Sequence, residues 1–139
     1  MNPKILYDLT QAQQRIMSTQ LIYPKSPMFN IGGTVSINGE GNLELLAQAI
    51  RVVINCHDAL NIRLIIKNGT PKQYFTENEC GYVELIDFSL YKDGEAQFRN
   101  WIEQEAKTVF SLEDNALYKF TVFQINKNSR IMKFLAMFF

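Results

Sequence analysis

The two apolar segments that close the sequence limit the fold more than any other feature. "ALYKFTVFQIN" (116–126) and "RIMKFLAMFF" (130–139) are joined by a short connection containing Lys127-Asn128-Ser129. This arrangement predicts two long adjacent strands. The second segment is apolar on both faces from Phe134 onward, as in a strand buried at the centre of a sheet. Such a sheet needs covering layers from the rest of the chain.

Two amphipathic helices are predicted that can supply those layers. The first lies within "GEGNLELLAQAIRVVINCHDAL" (39–60), with Asn42 as its N-cap and Glu44 in its first turn. The second lies within "DGEAQFRNWIEQEAKTVF" (93–110). The expected inward positions of the first are Leu43, Leu46, Ile50, Val53, Ile54 and His57, and those of the second are Phe98, Ile102, Glu105/Ala106 and Val109.

Shorter signals complete the element order. Thr10 and Gln13 form a capping-box pattern at the start of a helix that ends before Pro24. "GGTVSIN" alternates as a half-buried strand, "RLIIKNGTPKQYF" is a hairpin turned by Asn68-Gly69, and "YVELIDF" is a short strand. The order helix, strand, helix, hairpin, strand, helix, strand, strand predicts an α+β fold, an α/β sandwich with helices covering a mixed sheet.

Composition excludes several classes of function. The 139 residues form one domain or part of one, and no apolar run approaches the ~18 residues of a membrane span. The N-terminus lacks the pattern of a signal peptide, so a cytoplasmic location is expected. Basic and acidic residues balance at 14 each, which gives no reason to expect nucleic acid or a membrane as a partner.

The positions of the charged residues and the cysteines give little indication of a specific chemical function. Residues 77–114 hold ten acidic and three basic residues, and we interpret them mainly as a solvated surface, with a docking face as the alternative. Cys56 and Cys80 are far apart and are interpreted as reduced thiols. Two cysteines and one histidine do not supply a metal site. His57, the only histidine, is interpreted as a helix-terminal or core residue rather than a catalytic one.

Three segments follow one another in order along the chain: "LTQAQQRIM", the segment beginning "YPKSPMFN", and "CHDALNIRL". In sequence and spacing, they resemble the start of a nonribosomal peptide synthetase condensation domain. The residues that match the family's (S/T)xAQxR, "YN" and RHExLRTxF patterns are Thr10, Ala12, Gln13, Arg15, Phe29, Asn30, His57, Asp58 and Leu60. Met17 replaces a usual aromatic residue and Cys56 replaces an arginine.

The resemblance implies one lobe of a two-lobed fold similar to chloramphenicol acetyltransferase. In the family, a carrier-bound acyl or peptidyl thioester and a carrier-bound amine meet in a tunnel between the lobes. The signature HHxxxDG follows a buried strand late in the first lobe, and its second histidine acts as a general base or positions the amine. This sequence ends on such a strand, so we expect an N-terminal lobe truncated before HHxxxDG, with no catalytic residue of its own.

The same resemblance implies that no cofactor is bound directly, because the substrates are tethered to the phosphopantetheine arms of carrier proteins. The expected partners are those peptidyl or acyl carrier proteins and the missing second lobe. The chain begins nine residues before the first motif, which suits either a starter condensation domain or a cloning boundary. Exposed apolar side chains near Phe134 to Phe139 predict self-association of the isolated chain.

Three residues are candidates for structural or near-site roles. In the family, the arginine of the LRT segment pairs with the aspartate of HHxxxDG, and Asn61 occupies that position here. Arg63, two residues on, is a candidate to compensate if the segment is extended, and an ordinary surface strand residue otherwise. Arg15 is interpreted as a structural residue that ties the first helix to the sheet, with a substrate contact as the alternative.

Two functions therefore remain open from the sequence. The first is a catalytically incomplete piece of an amide-forming enzyme, inactive alone. The second is a degenerate, non-catalytic module that binds an acyl chain or a carrier protein. A reading frame that continues past Phe139 into HHxxxDG would favour the first function, and a natural stop codon would favour the second or a decayed gene.

Overall fold

The predicted helices and strands are present in the predicted order, with one additional two-residue strand at the start. The computed structural model describes residues 4–38, 42–76, 81–125 and 131–138. The elements are β1 (Tyr7–Asp8), α1 (Gln11–Ile22), β2 (Ile31–Asn38), α2 (Leu43–Cys56), β3 (Ile62–Lys67), β4 (Thr70–Phe75), β5 (Val83–Asp87), α3 (Gly94–Glu105), β6 (Tyr118–Gln124) and β7 (Ile131–Phe138). Short 3₁₀ helices at Asp58–Asn61 and Phe88–Leu90 precede β3 and α3.

The larger sheet has the strand order β2-β7-β6-β5. β7 runs antiparallel to both of its neighbours, and β5 runs parallel to β6, so the sheet is mixed. The prediction that the last segment is a central strand adjacent to the one before it is confirmed. The predicted turn at Lys127-Asn128-Ser129 lies outside the described residues, as do the side chains of β7.

Strand β6 contributes buried side chains to both faces of the larger sheet, because successive side chains of a strand point to opposite faces. On one face, Tyr118, Phe120 and Val122 belong to the buried cluster that also contains Ala47, Ile50 and Ile54 of α2. On the other, Phe123 contacts the rings of Phe98 and Trp101 of α3, at centroid distances of 5.1 and 5.0 Å. The sheet is thus covered by α2 on one side and α3 on the other.

A smaller sheet of order β1-β4-β3 holds α1. The capping box predicted at Thr10 and Gln13 is present, and Asn68 and Gly69 adopt positive φ angles of 51° and 74° at the hairpin turn. The Gln13 amide also donates to the Gln73 side chain at 2.8 Å, which joins α1 to β4. Leu9, Met17 and Leu64 form the buried cluster between these elements.

Two predicted helix faces need correction. In α2 the fully buried positions are Ala47 and Ile54, while Val53 is 47% exposed and His57 is an exposed C-cap. Ala47 and Ile54 are seven residues, or about two turns, apart and share the innermost line of the helix, whereas Val53 is rotated about 100° from Ile54. Helix α3 ends at Glu105, so Val109 lies beyond it.

The early end of α3 has a local cause. The amides of Lys107 and Thr108 bond to the carbonyls three residues before them, at 3.1 and 2.9 Å. Such bonds tighten and close the last turn of a helix.

Strand β2 was predicted to be half-buried, and this is wrong. Residues 31–36 are all exposed, and Ile37 is only partly buried. The reason is its place at the edge of the larger sheet, where β7 is its partner on one side.

Candidate functional site

The carboxyl end of β7 is the candidate site, because the resemblance places catalytic residues directly after this strand. Phe138 pairs with Ile31 on one side and with Tyr118 on the other. The segment that leads into Tyr118 contacts β3, since the Asp114 amide donates to the Leu64 carbonyl at 2.8 Å. The end of β7 therefore lies at the same end of the molecule as the segment that carries Asn61 and Arg63.

Arg63 is buried beside this end of the sheet, with 6% of its surface exposed. Its Nη1 donates to the carbonyls of Leu60 at 3.3 Å and Ile62 at 2.9 Å. The interpretation of Arg63 as a surface strand residue is therefore wrong: the guanidinium folds back onto the 3₁₀ turn and satisfies its carbonyl groups. Compensation by Arg63 for the missing family arginine stays a prediction.

Asn61 connects three elements. Its Nδ2 donates to the carbonyls of Ile54 and His57, each at 3.3 Å, at the end of α2. Its own carbonyl accepts from the Thr76 amide at 2.9 Å and from the Thr76 hydroxyl at 3.2 Å, just after β4. Asn61 is the last residue of a 3₁₀ helix, and β3 begins only at Ile62. The segment is therefore not extended at Asn61, so the condition under which Asn61 and Arg63 would face the same side is not met.

Arg15 lies on the exposed side of α1, and the structure does not bring it together with Asn61 or Arg63. The contact that ties α1 to the small sheet is made two residues earlier, by Gln13. Gln73, which receives that bond, donates in turn to the carbonyl of Asp8 at 2.9 Å. A structural role for Arg15 remains a prediction.

A polar cluster that sequence reasoning missed lies next to Arg63. The Tyr74 hydroxyl donates to the Asp114 carboxylate. Lys4 Nζ lies 3.6 Å from the same carboxylate and 3.8 Å from the centre of the Tyr74 ring. The three residues are remote in sequence, so no motif could have brought them together.

Hydrogen bonding, burial and nearby charges shift the pKa values of Tyr74 and Asp114 in this cluster in opposite directions. The hydrogen bond from Tyr74 lowers the pKa of Asp114 against the opposing effect of burial, and the nearby charges of Lys4 and Arg63 lower it further. Burial, together with the bond to Asp114, raises the pKa of Tyr74. At neutral pH the site therefore holds a neutral phenol that donates to an ionised carboxylate.

Tyr74→Phe should raise the pKa of Asp114 toward its ordinary value, because the largest stabiliser of the carboxylate is removed. A lowered carboxyl pKa contributes stability above the unfolded pKa, and that stability is lost as pH falls through the folded pKa. As the pH falls through and below 3.8, the ordinary pKa of an aspartate, the wild-type chain should therefore lose stability more steeply than the variant. Carboxyl ¹³C NMR titration measures the pKa directly, and the exposed Tyr7→Phe is the matched control. An unchanged Asp114 pKa in Tyr74→Phe would refute this assignment.

A second charged cluster lies on the α3 side of the large sheet. Lys119 Nζ lies 2.7 Å from Glu105 and 3.3 Å from Glu84, and 5.3 Å from the Trp101 ring centre. Burial lowers the pKa of Lys119, but the contacts with the two carboxylates outweigh it and raise the pKa. With its side chain 12% exposed, Glu105 departs from the solvated surface expected for residues 77–114.

Other chemistry is limited in the ranges that the structure describes. They contain no group of three or more His, Cys, Asp and Glu side chains placed to hold a metal ion. Cys56 is an exposed free thiol, and Cys80 lies outside the described residues. None of the helices in these ranges has the length and apolarity needed to cross a membrane.

Comparison with known proteins agrees with the resemblance. The family model "Condensation domain" matches residues 5–136. Surfactin synthase subunit 1 of Bacillus subtilis is 30% identical over 125 residues, which make up 88% of this chain but only 4% of that protein. A dimodular nonribosomal peptide synthase of the same organism is 30% identical over 99 residues, which make up 71% of this chain and 4% of that protein.

Solved structures show the same fold. The starter condensation domain of rhizomide synthetase superposes with a TM-score of 0.85 at 21% identity, covering 96% of this chain and 30% of that one. The first condensation domain of the calcium-dependent antibiotic synthetase superposes with a TM-score of 0.83 at 18% identity, and the match covers 99% of this chain and 35% of that one. The α+β fold, with one lobe similar to chloramphenicol acetyltransferase, is therefore confirmed. Because the family model matches residues 5–136, nearly the whole of this chain, the chain belongs to the condensation domain family of nonribosomal peptide synthetases.

Proposed function

We propose that the chain serves as the N-terminal lobe of a condensation domain that joins a carrier-bound acyl or peptidyl thioester to a carrier-bound amine. The observation that carries this proposal is the position of β7. It is one of the two central strands of the larger sheet, and its carboxyl end lies at the same end of the molecule as the segment carrying Asn61 and Arg63. A loop that follows β7 would reach the buried guanidinium there.

The substrates proposed for the full domain are supported by the relatives. The starter condensation domain of rhizomide synthetase has been solved in complex with C8-CoA and Leu-SNAC. The related domain of the calcium-dependent antibiotic synthetase is bound to a substrate analogue. By the likeness to these relatives, the proposed partners are acyl or peptidyl carrier proteins and a second lobe. The substrates arrive tethered to the phosphopantetheine arms of the carriers. The proposed location is cytoplasmic.

The isolated chain should form no amide bonds. Its single histidine, His57, is an exposed helix C-cap, and neither histidine of HHxxxDG is present in the 139 residues. The assay combines the purified chain with an acyl-loaded donor carrier and an aminoacyl-loaded acceptor carrier, and follows the product by mass spectrometry. Turnover above the background without protein would overturn the assignment of catalysis to residues outside this chain.

A lobe exchange tests the positive part of the proposal. Residues 1–139 would replace the matched region in surfactin synthase subunit 1, followed by that protein's own HHxxxDG segment and second lobe. We expect condensation activity in the hybrid, and its loss when the second histidine of HHxxxDG is changed to alanine. An inactive but folded hybrid, together with tight binding of a loaded carrier by the isolated chain, would favour the non-catalytic binding module instead.

A further inference from the structure

One edge of β2 is unpaired in the part of the chain that the structure describes. β2 pairs with β7 along its whole length, from Ile31 opposite Phe138 to Asn38 opposite Ile131. Among the described residues no strand pairs with its other side. Ile31 is 72% exposed and Val35 49% exposed, so the face of the strand that carries them is largely open to solvent.

The sequence of β2 lacks the features that normally protect an edge. Natural edge strands carry lysine, proline, bulges or inward charges that prevent pairing with another chain. "IGGTVSIN" (31–38) has no charged residue and no proline. At Gly33 an added Cβ would meet no atom within 4 Å, so the face of the strand is open at this position.

We propose that β2 pairs with β2 of a second copy, antiparallel and about a two-fold axis at Thr34. Only an antiparallel pairing of two identical edges closes with two-fold symmetry. In this register Thr34 faces Thr34 of the other copy, and Ile31 faces Ile37. Gly33 faces Val35, and Gly32 faces Ser36. Threonine pairs and aliphatic pairs directly opposite each other stabilise a sheet.

The register also keeps the two faces of the joined sheet distinct. Ile31, Val35 and Ile37 lie on one face, because residues two apart in a strand share a face. Thr34 and Ser36 lie on the other. The two four-stranded sheets would then form one continuous sheet of eight strands, with an apolar row crossing the junction on one side.

A second exposed apolar surface, on α2, is an alternative site for contact between two copies of the chain. Helix α2 presents Leu45, Ala49, Val52 and Cys56, which repeat at intervals of four, three and four residues and are all exposed. A helix has already satisfied its backbone groups internally, whereas the edge of a strand leaves a row of N–H and C=O groups to be paired. We therefore assign the contact between copies to β2 rather than to α2.

Charge substitutions at the two-fold axis test this assignment in the 139-residue chain. Sedimentation velocity at micromolar concentration should show a dimer. Thr34→Lys and Thr34→Glu should each weaken the dimer at least about tenfold, because like charges then face each other across the axis. Mixing the two variants should restore dimers, since the charges become opposite. Circular dichroism checks that both variants keep the wild-type fold.

Val52→Lys on α2 is the matched control, and it should leave the dimer unchanged. A strict monomer at all concentrations would overturn the proposal. So would a dimer that survives Thr34→Lys, which would point to the surface near Phe134 to Phe139 instead. A dimer that dissociates in Val52→Lys but not in Thr34→Lys would assign the contact to α2.

Discussion

Gly94→Ala is expected to destabilise the fold by about 3 kcal/mol, at the upper end of what overpacking costs. Gly94 is the first residue of α3 and is buried. A Cβ at this position would lie 2.5 Å from the Phe88 carbonyl oxygen and 2.7 Å from that of Ile125. Both obstacles are backbone atoms, which cannot move aside as a flexible side chain can. The start of α3 would have to shift away from the sheet.

Gly33→Ala is the matched control, since an added Cβ meets nothing there. It should be neutral or stabilising by up to about 1 kcal/mol, because alanine lowers the entropy of the unfolded chain. Urea denaturation followed by circular dichroism gives both free energies of unfolding. Equal effects of the two substitutions would contradict the close packing of α3 against Phe88 and Ile125.

Arg63→Ala should cost about 2–3 kcal/mol of stability. The substitution removes a buried guanidinium that donates to the carbonyls of Leu60 and Ile62, and partly buried carbonyls left unpaired carry a desolvation penalty. In the hybrid domain with surfactin synthase subunit 1, the same change should also lower the condensation rate if Arg63 holds the catalytic loop. Thermal melting and the rate are measured on the same protein.

Two controls accompany Arg63→Ala. Asn61→Ala should be milder, at about 1 kcal/mol, because only neutral hydrogen bonds are lost. Arg15→Ala on the exposed side of α1 should change stability by less than about 0.5 kcal/mol. If Asn61→Ala is the more damaging change, or Arg63→Ala has no effect, then Arg63 has not taken over the role of the family arginine.

The elements that sequence predicted well are those with strong local signals. The capping box at Thr10, the N-cap at Asn42 and the Asn68-Gly69 turn each depend on a few neighbouring residues, and all three are present. Strand β1 was missed because two residues carry no periodic pattern. The exposure of β2 could not be predicted, because alternation indicates a strand but not whether it lies at an edge.

The candidate site was harder to predict because its contacts are not local. The resemblance identified Asn61 and Arg63, but it could not show that Arg63 turns back onto carbonyls of its own turn. The 3₁₀ helix that ends at Asn61 has no distinct periodicity in four residues. The cluster of Lys4, Tyr74 and Asp114 joins residues up to 110 positions apart, which only tertiary packing brings together.

The pairing of β2 with β7 has a consequence for how the chain folds. Ile31 and Phe138 lie opposite each other in the sheet although about 100 residues separate them. Closing so long a loop costs entropy before any contact compensates for it, and such topologies fold slowly. During synthesis, β2 leaves the ribosome early, and β7, the strand that pairs with it in the described part of the chain, emerges only near the end of these 139 residues. Throughout that interval an uncharged strand without proline is open to pairing with other nascent chains.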